Sequence, residues 1–199
     1  LSRALGGDMS IARAELTGPS LSRLRPRLQE TAKALWGIYI GFTVLEFLLL
    51  FLWADLTWFN AMNYALTTMP SGGFGTTDGG VMDFDSARVE GIIIFFMVAT
   101  GINFSLFHFL LLKEYTKVVN DQELRVYLMV LIGAWAIFTL NLVHSAGWQW
   151  GEAMRHGAFQ AAAIGTSTGY ASSDFASWPV LSLFVLLFLM VVGASAGST

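Results

Sequence analysis

The sequence predicts an all-α membrane protein built from two consecutive repeats, each a span, a half-helix, a glycine-rich turn and a second span. Three observations predict it. Of 199 residues, 55% are hydrophobic and 13% charged, with a mean hydropathy of +0.60, whereas a soluble domain carries about 25% charge. Four apolar stretches reach or approach the ~20 helical residues that cross about 30 Å of hydrocarbon. A Ser-x-Gly-aromatic turn occurs at Ser71 and again at Ser167, 96 residues later, each time between two such stretches.

Composition also excludes function classes. With no cysteine, the chain has no disulfides, thiolate metal sites, thiol nucleophiles or iron–sulfur ligands. Lys and Arg number 11 against 14 Asp and Glu, beside 16 Phe and 7 Trp. That surface suits lipid, whereas a nucleic-acid groove wants clustered cations, so no nucleic-acid partner is expected.

Residues 1–33 hold six basic residues, start with Leu and contain no apolar core long enough for a signal peptide. They read as a cytoplasmic linker, with Arg23, Arg25 and Arg27 as a solvated flank, and the chain reads as an internal piece cut at both ends. The stretch 34–53 reads as a spanning helix interrupted only by Glu46. A carboxyl there faces protein or water rather than lipid; it either binds an ion or hydrogen-bonds to another helix. Phe59–Met69 has helical composition but extends only about 16 Å, half a bilayer, before Pro70 stops it. The glycine-rich turn 71–78 follows.

Residues 90–112 read as the second span, opening with Glu90 and containing Asn103 and His108. A cytoplasmic loop over 113–125 leads to a third span, 126–148, with Asn141 and His144. His108 and His144 read as packing residues, since neither has a second ligand at i+4. Gly151–Ile164 is again a short helix, and 165–174 again a turn. The fourth stretch, 178–199, is strongly apolar only to Val192; its last seven residues, Gly193 to Thr199, are all small. The repeats are therefore 34–112 and 126–199.

Sliding the chain by 96 residues superposes Ser71 on Ser167, Gly73 on Gly169, Phe74 on Tyr170 and Asp78 on Asp174. Thr76 and Thr77 face Ser172 and Ser173, and Ala61 and Ala65 fall on Gly157 and Ala161. Shared spacing in the same place relative to the spans marks an internal repeat. Charge orients it: 1–33 and 113–125 together hold nine basic residues against six acids, the cytoplasmic signature. The other side holds Arg88 and Arg155 against Asp55, Asp78, Asp83, Asp85, Glu90, Glu152 and Asp174, an acidic face that concentrates cations. Asp78 and Asp174 either draw cations to the outer mouth or cap the loops after the turns.

Irregular backbone at membrane depth persists only where it is buried in protein or lines water. Glycine lets successive carbonyls aim at one axis, and the following aromatic can wedge the turn against neighbouring helices. A carbonyl ring replaces an ion's hydration shell, and a half-helix C-terminus pointing inward favours a cation. The expected ion-binding segments are Ser71, Gly72, Gly73 and Phe74 with Ser167, Thr168, Gly169 and Tyr170.

Those two segments resemble the selectivity filters of the Trk/Ktr/HKT superfamily of potassium transporters, the Trk-type bacterial uptake subunit in particular. Flanking residues carry the same resemblance: Arg13-Ala14-Glu15 with Gly18-Pro19, Arg25-Pro26-Arg27, Thr31-Ala32 with Leu35-Trp36, Thr43-Val44-Leu45-Glu46, Gly101-Ile102-Asn103-Phe104 and Gly169-Tyr170-Ala171-Ser172. The resemblance implies a pseudo-fourfold, potassium-channel-like architecture of four repeats, of which this chain matches the second and third. It implies K⁺ as the transported ion, held at Ser71, Gly72, Ser167 and Thr168, with no covalently bound cofactor and no catalytic residue. It further implies an inner cell-membrane location, a homodimer and a cytosolic nucleotide-binding regulatory subunit. Gly193, Ala194, Ser195, Ala196, Gly197, Ser198 and Thr199 resemble the start of an intramembrane gating loop; the competing reading is a close helix-packing face.

Two alternatives stand beside this reading. A two-repeat cation channel would complete four filter segments by dimerising. Gly165-Thr166-Ser167-Thr168-Gly169 also satisfies G-x-S-x-G, so an intramembrane serine hydrolase would use Ser167 with His144 and Asp174. That elbow needs a strand before the serine, where the sequence reads as helix.

Overall fold

The computed structural model describes residues 19–193, with side chains from residue 32 onward; Ala194 to Thr199 and the first 18 residues lie outside the described residues. All regular structure among the described residues is helical. The order is α1 (Pro19–Leu52), α2 (Trp58–Thr68), a 3-10 turn (Gly80–Phe84), α3 (Ala87–Thr100), α4 (Phe104–Leu111), α5 (Tyr115–Val119), α6 (Gln122–Ala146), α7 (Trp150–Gly165), a 3-10 turn (Phe175–Ser177) and α8 (Val180–Val192).

Local chemistry sets the boundaries. Thr57 Oγ1 accepts from the Asn60 amide at 3.3 Å and starts α2, and Asp121 Oδ1 accepts from the Leu124 amide at 2.7 Å and starts α6. Each satisfies one of the amides a helix start leaves open. Gly147, at φ 69°, ends α6 in the left-handed conformation that suits glycine.

Two helices among the described residues are long and apolar enough to cross a membrane, Ala32–Leu52 within α1 and Gln122–Ala146. The expectation of a single span over 90–112 is corrected: the path bends by 92° between α3 and α4. The cause is a packed break. A Cβ on Gly101 would run into the Tyr127 hydroxyl, and that hydroxyl donates to the Val98 carbonyl at 3.1 Å, a group an interrupted helix leaves without its usual partner. Asn103 Oδ1 then accepts from the Ser105 amide at 3.0 Å and starts α4 in its new direction. In the fourth stretch the described helix has 13 residues and ends at Gly193, φ 65°, where the strongly apolar part of the sequence also ends. At about 1.5 Å per residue it covers ~20 Å.

The core is in two parts that share α7. Phe159, Ala162 and Ala163 join a cluster with Leu50, Tyr64, Ile93 and Phe96, while Ala153 and Ala161 join Phe138, Leu142, Trp178 and Leu189. This explains the alanine-rich sequence of α7: small side chains let a helix approach neighbours on both flanks. At Gly157 an added Cβ would lie 3.2 Å from Thr139 Oγ1, so α6 and α7 pack almost backbone to backbone. Asn141, polar within α6, is matched by Ser182 of α8 through a 2.8 Å bond from its Nδ2.

Candidate functional site

Each half-helix ends in the same way. The Ser71 amide donates to the Thr68 carbonyl at 2.9 Å and the Ser167 amide to the Ile164 carbonyl at 3.0 Å. The Gly73 amide reaches the Thr67 carbonyl at 3.3 Å and the Gly169 amide the Ala163 carbonyl at 2.9 Å. The four bonds form two pairs, each related by the 96-residue shift. The backbone angles repeat as well: φ is 54° at Ser71 and 67° at Gly73, and 59° at Ser167 and 82° at Gly169. Gly72 and Thr168, between them, are not among the positive-φ residues. Alternating left-handed and ordinary residues turn successive peptide groups away from the directions they take in a helix or strand.

Glycine at the third position is the part the sequence foretold. Serine at the first is not. A non-glycine residue held left-handed costs on the order of 1–3 kcal/mol and persists where its surroundings over-determine it. Two such serines at repeat-equivalent places mark the turns as built, strained segments.

The turns meet. A Cβ on Gly73 would run into the Thr168 carbonyl oxygen and lie 3.5 Å from the Gly169 carbonyl carbon. Gly169, by contrast, has nothing within 4 Å of the same position. The aromatics differ in parallel. Tyr170 is 3% exposed, its ring 5.6 Å from that of Tyr64, whereas Phe74 is 72% exposed. Tyr170 is thus wedged against a neighbouring helix, whereas little packs on the Phe74 ring among the described residues.

Thr67 was not singled out from the sequence, yet it joins the turns. Its hydroxyl lies 2.6 Å from the Tyr170 hydroxyl and donates within reach of both the Phe74 carbonyl, at 3.0 Å, and the Asn63 carbonyl, at 2.8 Å. Its repeat equivalent is Ala163, so the repeat itself gave no signal. Glu46 lies on the hidden side of α2, fully buried, beside the Thr68 hydroxyl but without a hydrogen bond of good geometry among the described residues.

On the acidic face, Asp174 Oδ1 accepts from the Ala176 amide at 3.2 Å and caps the 3-10 turn before α8. Asp78 is exposed in its loop. The two cations of the acidic face are both paired, Arg88 with Asp55 at 3.3 Å and Arg155 with Glu90 and Asp85. Lone arginines amid acids were the signal for that pairing. His156 Nδ1 lies 2.9 Å from Ser172 Oγ, and burial pushes its pKa below 6.5 against the pull of Glu90. On the other side of the second turn, Gly193 brings the start of the small-residue run to within a Cβ position 4.0 Å from Ser167 Oγ. Ala194, Ser195, Ala196, Gly197, Ser198 and Thr199, the rest of the expected gate, lie outside the described residues.

The hydrolase alternative loses its footing here. Ser167 follows the helix α7 rather than a strand, and the elbow geometry depends on a strand-to-helix turn.

Comparison with known proteins agrees with this architecture. A family model described as "TrkH: Cation transport protein" matches residues 5–199. The "Trk system potassium uptake protein TrkH" of Halomonas elongata is 36% identical over 196 residues, which are 97% of this chain and 40% of that protein. The protein of the same name from Escherichia coli K12 is 34% identical over 200 residues, 97% of this chain and 40% of its own length. The crystal structure of the potassium transporter TrkH from Vibrio parahaemolyticus superposes with a TM-score of 0.78 at 30% identity, covering 86% of this chain and 37% of that one. The chain thus spans about two fifths of the length of the relatives it matches, and by the family match over almost its whole length it belongs to the TrkH family of cation transport proteins.

Proposed function

We propose that this chain supplies two of the four segments of a carbonyl-lined potassium filter in a channel-like uptake transporter of the cell (inner) membrane. The observation that carries the reading is the alternating backbone at Ser71–Gly73 and Ser167–Gly169, repeated after 96 residues, with the two turns in contact. K⁺ would exchange hydration water for the carbonyls of Ser71, Gly72, Ser167 and Thr168 and move down its electrochemical gradient. No bond is made or broken, and the acidic outer rim with Asp78 and Asp174 raises the local cation concentration.

The open side of Gly169 and the exposed ring of Phe74 support a ring continued by further segments on both flanks. Two further repeats of the same polypeptide or two turns of a second copy would each fill these places; the resemblance favours the former. A homodimer of the whole transporter and a cytosolic nucleotide-binding regulatory subunit are parts of the same proposal. Gly193 and the small residues after it would form the gate.

The test is rubidium uptake into proteoliposomes by the intact protein, with K⁺ as competitor. Uptake blocked by excess K⁺ and lost in Gly73→Ala is the expected result. Uptake unchanged by that substitution, or labelling of Ser167 by a fluorophosphonate probe, would overturn the reading.

A further inference from the structure

Three hydroxyls behind the turns form a connected set, with a buried carboxyl beside them. Thr67 has a single hydroxyl proton, and its acceptors are the Phe74 and Asn63 carbonyls. With that proton on either carbonyl, the contact with Tyr170 at 2.6 Å is made by the Tyr170 proton. Tyr170 in turn accepts from Thr68 Oγ1 at 3.4 Å, and Thr68 is itself fully buried. Behind Thr68 lies Glu46, also fully buried, both of its oxygens unmatched among the described residues. The series runs from Thr68 through Tyr170 to Thr67 and ends on the carbonyl of Phe74, with Glu46 of α1 buried behind Thr68.

The ends matter as much as the links. The bond from Thr67 turns the Phe74 carbonyl back onto α2 and fixes the residue that closes the strained stretch Ser71–Gly73. Tyr170 closes the matching stretch of the second turn. One hydroxyl pair therefore ties the two turns together, in the place where Gly73 abuts the Thr168 carbonyl. Strained backbone needs such over-determination, and linked hydroxyls in a low-dielectric interior strengthen one another. The repeat-equivalent positions lack the device: Phe74 has no hydroxyl to match that of Tyr170, and Ala163 and Ile164 stand where Thr67 and Thr68 would be.

We propose that Tyr170, Thr67 and Thr68, backed by the buried carboxyl of Glu46, are positioning residues that set the spacing of the two turns and thereby which alkali cation the pore admits. This rests on the filter reading above. Discrimination between cations depends on the number and field of the coordinating carbonyls, so a brace that holds those carbonyls acts on selectivity more than on throughput.

The experiment compares initial rates of Rb⁺ and Na⁺ uptake by the intact protein in proteoliposomes. Tyr170→Phe removes one oxygen, and Thr67→Val keeps the shape of the side chain without its hydroxyl. Each lowers the Rb⁺ to Na⁺ rate ratio about five-fold, the worth of one good hydrogen bond, with Rb⁺ uptake still above that of empty liposomes. Thr67→Ser and Glu46→Gln keep a hydrogen-bonding group and keep the parent ratio; Glu46→Leu lowers it. The double variant of Tyr170→Phe and Thr67→Val is no worse than the worse single change, since both cut the same link. A ratio within two-fold of the parent in both single variants overturns the proposal. So does failure of both to fold while Thr67→Ser folds, because the brace is then purely structural. If the unaltered protein moves no Rb⁺ faster than empty liposomes, the filter reading itself falls and takes this proposal with it.

Discussion

Arg155 on α7 holds Glu90 on α3 through two parallel hydrogen bonds, Nε to Oε2 at 2.7 Å and Nη2 to Oε1 at 2.8 Å. Glu90 is 1% exposed, and the same guanidinium reaches Asp85 at 3.0 Å. The pair pins the start of the second half-helix to the first repeat. Removing one partner of a buried pair leaves the other charge uncompensated and costs about 3–5 kcal/mol, somewhat less here because Arg155 keeps some access to solvent. Arg155→Ala is expected to lower the thermal unfolding temperature of the detergent-solubilised protein sharply. Arg155→Lys should recover only part of the loss, because a lysine cannot make the forked contact. Equal melting of Arg155→Ala and the parent would show the pair to be incidental.

The two glycines of the turns differ in what a methyl group would meet, and this separates two sources of damage. At Gly73 an added Cβ runs into the Thr168 carbonyl; at Gly169 it meets nothing within 4 Å, although both residues are left-handed. Strain alone costs about 1–2 kcal/mol. Within the described chain, then, Gly169→Ala pays only strain, while Gly73→Ala pays strain and collision. In the intact protein a further segment seated against Gly169 would make the two substitutions equally severe. Rubidium uptake and yield of folded protein, measured for both variants, read this directly: equal loss places another turn beside Gly169, and milder loss at Gly169 leaves that flank open.

How much of this was visible in the sequence depends on the residue. Ser-x-Gly-aromatic at a fixed shift was visible because glycine and spacing are local signals. The left-handed serines were not, since serine has no preference for that conformation and is held there by neighbours. The break at Gly101 was hidden because hydropathy stays high through Ile102 and the decisive partner, Tyr127, is 26 residues further on. Thr67 was hidden for the opposite reason: its repeat mate is alanine, so comparison of the halves erased it. Contacts across the repeat boundary carry the site, and a single sequence does not write them down.

His156 gives the acidic face a pH dependence. Burial holds its pKa below 6.5 in the folded protein, so the folded state binds this proton less readily than the unfolded chain does. Its contribution to stability is complete above pH 6.5 and falls as the pH drops below that value, levelling off once the pH passes the folded pKa. Glu90, Arg155, Asp85 and Glu152 are the charges that act on it. His156→Gln should flatten the fall in unfolding temperature between about pH 6.5 and 5. An unchanged slope in that variant would assign the acid sensitivity to the carboxylates instead.

Gly193 ends α8 at φ 65° and ψ −170°, a backbone region essentially reserved for glycine, and its Cβ position lies 4.0 Å from Ser167 Oγ. A leucine there adds the strain of a side chain at positive φ and places branched carbons under the second turn. An alanine adds the strain with little bulk. If the small-residue run gates the pore, Gly193→Leu lowers rubidium uptake by about ten-fold or more, and Gly193→Ala lowers it much less, with both proteins eluting as the parent does on gel filtration. If Gly193 merely stops the helix, the two variants lose activity alike, because both suffer the same backbone strain. The gap between leucine and alanine, rather than the loss in either, is therefore the quantity that reports on gating.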